Sequence, residues 1–321
     1  MKKLKAIFLN RTQAGSDVVY RENQIRALAE IADIRPTVVT PEELATGDFS
    51  DVQAIFSTWG MVKLEDAQLD KLPDLKIVFY AAGATDFFAR PLLKRGIKVV
   101  SAWRANGTPV AELTVAQIIL SLKNYFTVSD RLHSREMWSR DGVGPGVYGE
   151  TVAIIGDGAV ANNVVKLLRN FNVEILQIPA IPALRTISFE EAFKRAYVVS
   201  NHLPNREDNR ECLTKEMFAS MRHGATFINT GRGAQVDQKG MIEVLKARPD
   251  LTALLDVTTP EPPEEDSELY KLPNVRLSPH IAGALNDETM RLADLMIEEY
   301  RRYANGEALQ HEVVEEMLMT H

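Results

Sequence analysis

The chain has 321 residues, a formal net charge of −7, and 45% hydrophobic and 25% charged residues. A length beyond ~250–300 residues exceeds what one core usually serves, so two domains are expected, and the acidic balance excludes a broad cationic surface for nucleic acid. A single cysteine, Cys212, excludes an intrachain disulfide and a cysteine-rich metal site, as in a reducing cytoplasm, and no run reaches the ~20 apolar residues of a membrane helix.

Apolar runs open the chain at 6–9, 37–39, 54–56, 77–81 and 99–100, separated by helix-length spacers. Short continuous runs of this kind read as βαβ units around a parallel sheet. A helix is expected from Thr108-Pro109 to about Tyr125, with Thr as cap and Pro at the first helical position. The charged, Gly-rich stretch at 139–149 reads as a loop before a second α/β unit that starts at Thr151. Cys212 precedes a probable helix and is read as structural. His133 and His202 are likewise read as structural. A helix from about Asp287 to Tyr303, with Asn286 as cap, is expected to return to the first domain and to be followed by a short tail. The fold is therefore expected to be α/β with two doubly wound parallel-sheet domains. A Rossmann domain over 104–283 is inserted in a flavodoxin-like domain made of 1–103 plus 284–321. Two chain crossings between domains would give a cleft with two hinges.

The second unit begins with an apolar strand, then Gly156-Asp157-Gly158-Ala159-Val160-Ala161, then a helical pattern with Val164, Leu167, Leu168 and Phe171 on one face. The first glycine permits a tight turn, and the second lets a pyrophosphate approach the backbone. Ala161 keeps the helix close to the sheet, and the helix N-terminus offers N–H groups to phosphates. Asp157 should point away from such an anion. The next strand, 173–178, ends at Pro179, where an acid for the ribose hydroxyls would stand, and the first arginine after it is Arg185. NAD is expected and NADP is not excluded. Ser188 to Glu191 reads as a capping box.

Three later segments each follow a strand-like run: Asn229-Thr230-Gly231-Arg232-Gly233, Leu255 to Pro262, and Ser278 to Gly283. Arg232, Glu261 and His280 are thereby expected at neighbouring strand ends. A cation, a carboxylate and an imidazole together can hold an anionic substrate and move a proton.

These residues resemble the D-2-hydroxyacid dehydrogenase family. The resemblance rests on Ala81 to Asp86, Ala105 to Glu112, the Arg131/Arg135/Trp138 spacing, the glycine loop, Asn201-His202-Leu203-Pro204 and the three segments. The separations 261 − 232 = 29 and 280 − 261 = 19 suit the family. The resemblance implies hydride transfer between a nicotinamide cofactor and a small D-2-hydroxy or 2-oxo acid. It implies His280 as acid/base, Glu261 as its partner, and Arg232 as anchor of the substrate carboxylate. A carboxylate bonded to the imidazole favours the protonated ring, and Arg offers a planar two-pronged donor. Ala82, Gly83 and Ala84 would add backbone N–H groups to the substrate. Gly156, Gly158, Ala159, Val160, Ala161, His202, Leu203, Pro204, Thr230, Asp256 and Gly283 would line the cofactor, with Asp256 and Thr230 near the nicotinamide and Leu203 and Pro204 near adenine. No metal is implied, and a homodimer is the family expectation. The stretch after Pro179 is shorter than the family's, as if a strand and helix beside the adenosine were trimmed. That departure leaves a non-catalytic nucleotide-sensing or scaffold homologue as the alternative. Trp59, Met61, Trp103 and Arg104 are candidates to shape the substrate pocket.

Overall fold

A computed structural model describes residues 3–318. Twelve strands follow one another among them: β1 (Lys5–Leu9), β2 (Asp33–Val39), β3 (Ala54–Ser57), β4 (Ile77–Tyr80), β5 (Lys98–Ser101), β6 (Glu150–Ile155), β7 (Val173–Ile178), β8 (Val198–Asn201), β9 (Thr226–Asn229), β10 (Thr252–Leu255), β11 (Val275–Leu277) and β12 (Glu312–Val313). They form two six-stranded sheets in two compact units. Among the described residues, one unit holds 3–107 together with 284–318, and the other runs from Thr108 to Gly283.

In the first unit the sheet order is β12-β5-β4-β3-β1-β2. β1 to β5 are parallel, in the doubly wound order 2-1-3-4-5. Strands β3 and β4 are buried along their whole length, as strands covered on both faces must be, which is why they read as unbroken apolar runs. The helix Met290–Ala304 covers one face through Leu292, Ala293, Met296, Ile297 and Tyr300. Its Tyr300 ring lies 5.6 Å from Phe56 and 5.7 Å from Phe79.

The end of the chain does more than the expected tail. Glu312 and Val313 pair antiparallel with Val100 and Val99 and cover the free edge of β5. The buried Glu299 carboxylate holds the approach by accepting the N–H groups of Gln310 and His311. A two-residue strand carries no period of its own, so its sequence is silent.

The long helix also starts earlier than expected, running Trp103–Ser121 with Pro109 inside it. Its first turn is already wound at Ala102, whose carbonyl accepts the Asn106 N–H. The proline removes one N–H without ending the helix. Asn124, at φ 50, separates it from a second helix, Tyr125–Arg131. Met61, expected as a pocket residue, is instead core at 1% exposure. Trp59 is 39% exposed, and the Arg104 guanidinium lies 4.8 Å over the Trp103 ring.

In the second unit the sheet order is β11-β10-β9-β8-β6-β7, all parallel. From β6 the chain first adds β7 on one side and then crosses to β8 on the other. The switch point therefore lies between β6 and β8, where open α/β sheets bind ligands outside the strand ends. The register aligns Ile178, Ile155, Asn201, Asn229, Leu255 and Leu277 in one row across the sheet. Within this unit, every segment with expected chemistry begins at that row or just beyond it.

The helix Ala159–Leu168 buries Val164 and Leu168 as expected, but Phe171 lies past its end and is 41% exposed. The chain there has already turned toward β7, with Val173 N–H bonded to Phe171 O. Strand β7 is one edge of the sheet. Ser188 caps the next helix by accepting the Glu191 N–H, which is half of the expected capping box. Among the described residues, no helix is long and apolar enough to cross a membrane, and no group of three or more His, Cys, Asp or Glu residues could hold a metal.

Candidate active site

The glycine loop lies at the switch point. Gly156 has φ 120, and a Cβ there would meet His202 O at 2.7 Å, so only glycine lets β6 turn this close to β8. Gly158 precedes the helix Ala159–Leu168, and a Cβ on it would meet nothing within 4 Å. Open space over a ten-residue helix whose first N–H groups have no intrahelical partner is a cradle for a phosphate, so the loop fits a dinucleotide. Ala161 is fully buried against the sheet, and Val160 is partly buried beside it. Asp157 is turned to the end of β7, where its carboxylate accepts the Ala180 N–H at 3.1 Å. Beyond Pro179, Arg185 donates to Pro179 O and Ala180 O and lies 3.8 Å over the Phe189 ring.

Arg232, Glu261 and His280 follow β9, β10 and β11, three strands side by side. The Arg232 turn is wedged: a Cβ on Gly231 would meet Asn201 O at 3.0 Å, and one on Gly233 would meet the Thr258 carbonyl at 2.1 Å. The guanidinium donates to Gly231 O at 2.8 Å. The Glu261 loop is gripped from the helix Gln238–Ala247, where the Gln238 amide donates to Thr259 O and accepts Thr259 N–H. The Glu261 carboxylate then meets His280 Nδ1 at 2.6 Å. A carboxylate only accepts, so Nδ1 carries a proton and Nε2 is the nitrogen left for chemistry. Both side chains are part-exposed, at 49% for His280 and 40% for Glu261. A cavity of about 360 Å³ opens beside them, lined by residues that include Thr258, Pro262, Tyr270 and Leu277.

His280 sits at φ 54, a left-handed conformation uncommon outside glycine. Asp256 braces the loop there. Its backbone oxygen accepts the His280 N–H, and its buried carboxylate accepts Ser278 Oγ–H, Ile281 N–H and Ala282 N–H. Asp256, expected near the nicotinamide, thus spends its carboxylate on the His280 loop, and Gly283 ends that loop. Thr230 pairs its hydroxyl with Thr114 of the long helix at 3.0 Å.

Two other expected cofactor residues point inward. The His202 imidazole is 8% exposed, bonded through Nε2 to Ser200 Oγ, and burial pushes its pKa down from 6.5 to about 4. Leu203 belongs to the core at 3% exposure, whereas Pro204 is exposed. Cys212 is partly buried, and that burial pushes its thiol up to about 11, which disfavours the thiolate. In the other unit, the Ala82 N–H is taken by Tyr80 O. Ala84 is exposed and Gly83 partly so. Sequence reading quoted Asn201 and Asn229 within motif segments without giving either a role, and it did not single out Gln235. The one signal for Asn201 and Asn229 is an amide at the last position of a buried strand.

A dinucleotide cradle at the switch point, with an imidazole–carboxylate pair and an arginine on three adjacent strand ends, defines a nicotinamide-linked oxidoreductase. Residues 115–282 match the D-isomer specific 2-hydroxyacid dehydrogenase NAD binding domain. YoaD of Bacillus subtilis (strain 168), itself assigned to the 2-hydroxyacid dehydrogenases, is 33% identical over 236 residues, 69% of this chain and 68% of that one. A glyoxylate reductase of Thermofilum pendens is 28% identical over 248 residues, 73% of each chain. The NADPH-dependent glyoxylate/hydroxypyruvate reductase SmGhrB of Sinorhizobium meliloti, solved with NADP and malonate, shares the fold with a TM-score of 0.72 at 21% identity, over 98% of both chains. The chain belongs to the D-isomer-specific 2-hydroxyacid dehydrogenase family and is an NAD(P)-dependent oxidoreductase.

Proposed function

We propose that the protein interconverts a small 2-oxo acid and its D-2-hydroxy acid, with His280 as acid/base, Glu261 as its partner and Arg232 as the carboxylate anchor. The observation that carries this reading is the 2.6 Å contact between His280 Nδ1 and Glu261 Oε1, with Arg232 following β9, the strand next to the one that leads to Glu261. A nicotinamide held at the glycine loop would supply or receive the hydride. The Arg232 guanidinium is always charged and forked, so it pairs with a carboxylate and orients the neighbouring carbonyl. His280 Nε2 gives its proton to the carbonyl oxygen in reduction and takes it back in oxidation. Glu261 stabilises the charged imidazole and holds its tautomer. Malonate in SmGhrB and the name of the Thermofilum relative favour a small carboxylate substrate.

Following nicotinamide absorbance with a panel of 2-oxo acids tests the assignment. Both His280→Ala and Arg232→Ala should lower kcat/KM by at least about a hundredfold, the usual worth of a positioned acid/base or anchor. An unchanged rate in either variant sinks the role given to that residue. We also propose a cytoplasmic homodimer. A lone, partly buried thiol suits a reducing compartment. Trp138 at 80% and Tyr148 at 86% exposure leave aromatic surface for a second copy, which light scattering would detect as twice the chain mass.

A further inference from the structure

The row of strand ends in the second unit carries two asparagines side by side, Asn201 on β8 and Asn229 on β9. Its other members are apolar: Ile178, Ile155, Leu255 and Leu277. Asn201 and Asn229 are 0% and 1% exposed, and Gln235 joins them at 1%. Three buried amides are costly unless each finds partners.

Their partners converge on one turn. Asn201 Nδ2 donates to Asn229 Oδ1 at 3.0 Å and to Gln235 Oε1 at 3.2 Å, while its oxygen accepts the Leu203 N–H. Asn229 Oδ1 also accepts Gly231 N–H at 3.1 Å, and its Nδ2 donates to Arg232 O at 3.0 Å. Gln235 Oε1 also accepts Arg232 N–H at 3.1 Å, and its Nε2 donates to Pro204 O. The orientation of each amide follows from this wiring, because a flipped Asn201 would aim an oxygen at two acceptors. Both main-chain groups of Arg232 therefore end on side-chain amides, and Asn201 bridges the two amides that hold them.

We propose that Asn201, acting through Asn229 and Gln235, is a positioning residue that fixes the Arg232 main chain so that the guanidinium meets the substrate carboxylate already oriented. This rests on Arg232 being the anchor. An anchor ordered in advance loses little freedom when substrate binds, whereas a loosened turn must be ordered by the substrate itself. The His280 loop hangs on Asp256 and Glu261 instead, so loss of the clamp weakens oxo-acid binding and spares the proton step.

Asn201→Leu removes the bridge at similar volume and leaves Asn229 Oδ1 and Gln235 Oε1 one donor each. With the full chain and glyoxylate as probe, the glyoxylate KM should rise about tenfold while kcat changes less than about threefold and the nicotinamide KM stays put. Gln235→Leu should behave alike, and the double variant should be no worse than the worse single one, as for residues acting as a unit. In hydrogen exchange, the peptide holding Gly231 and Arg232 should exchange about tenfold faster in Asn201→Leu, with the helix Met290–Ala304 unchanged. Equal losses in kcat and both KM values, or unaltered exchange at Gly231 and Arg232, overturn the clamp. Arg232→Ala with an unaltered glyoxylate KM overturns the anchor, and exchange alone then decides whether the clamp exists.

Discussion

Arg232 and His202 illustrate two opposite uses of a basic side chain. Arg232 sits in a turn between two loops, held by its main chain and bonded through its guanidinium only to Gly231 O among the described residues. Arg232→Lys keeps the charge and loses the planar fork, so the oxo-acid KM should rise about tenfold or more, equivalent to ~1.4 kcal/mol or more of lost binding. Steady-state kinetics with glyoxylate would show it. His202 is kept neutral by burial, with a folded pKa of about 4 against 6.5 unfolded. The unfolded chain thus binds a proton first as pH falls, and the stability present above pH 6.5 is lost progressively toward pH 4. At pH 4.5 that loss amounts to about 2–3 kcal/mol by linkage. Denaturant unfolding of His202→Leu beside the parent should show a flatter acid limb, and parallel acid limbs in the two proteins would refute this account.

At the scale of elements, the site is made by strand ends in register and by the glycines that let their loops touch. Gly233 and Gly158 make contrasting tests. A methyl on Gly233 would collide with the Thr258 carbonyl. Gly233→Ala should therefore cost about 2 kcal/mol or more of stability and most of the turnover, as backbone overpacking does. A methyl on Gly158 meets no protein atom, and its φ of −71 suits alanine. Gly158→Ala should leave thermal stability within about 0.5 kcal/mol of the parent. The nicotinamide KM should nonetheless rise several-fold, because the methyl enters the space read as the phosphate cradle. A Gly158→Ala protein with unchanged cofactor KM would remove the phosphates from that loop.

Across the whole molecule, each unit has its own core and its own doubly wound sheet. The last described stretch, 306–318, belongs to the first of them, where Val313 and Leu318 are buried at 3% and 1% exposure. Removing everything from Gly306 onward strips two buried side chains and bares the edge of β5. By apolar area alone the loss is about 3–5 kcal/mol, and an open strand edge adds a tendency to associate. Two of the three tryptophans, Trp59 and Trp103, lie in the affected unit. Fluorescence-detected denaturation should therefore shift to lower denaturant in the truncated chain, and an unshifted midpoint would mean that β12 contributes little.

The alternation of buried strands, the glycine loop and the three polar segments could be read from the sequence because each is local. A buried parallel strand is a continuous apolar run, and a phosphate turn needs its glycines within a few residues. What the sequence could not show depends on groups far apart in the chain. Asn201 bonds Asn229 across 28 residues and Gln235 across 34, and Asp256 reaches Ala282 across 26. Nothing near any of these residues distinguishes a clamp from a solvated amide or a cofactor ligand. Parallel pairing of β8, β9, β10 and β11 decides it by bringing their ends into one row. The sequence by itself thus pointed, through local pattern, to Arg232, Glu261 and His280, the residues for which the chemistry is proposed. Only the tertiary structure decided which residues hold them in place, because a hydrogen bond depends on distance in space and not on separation along the chain.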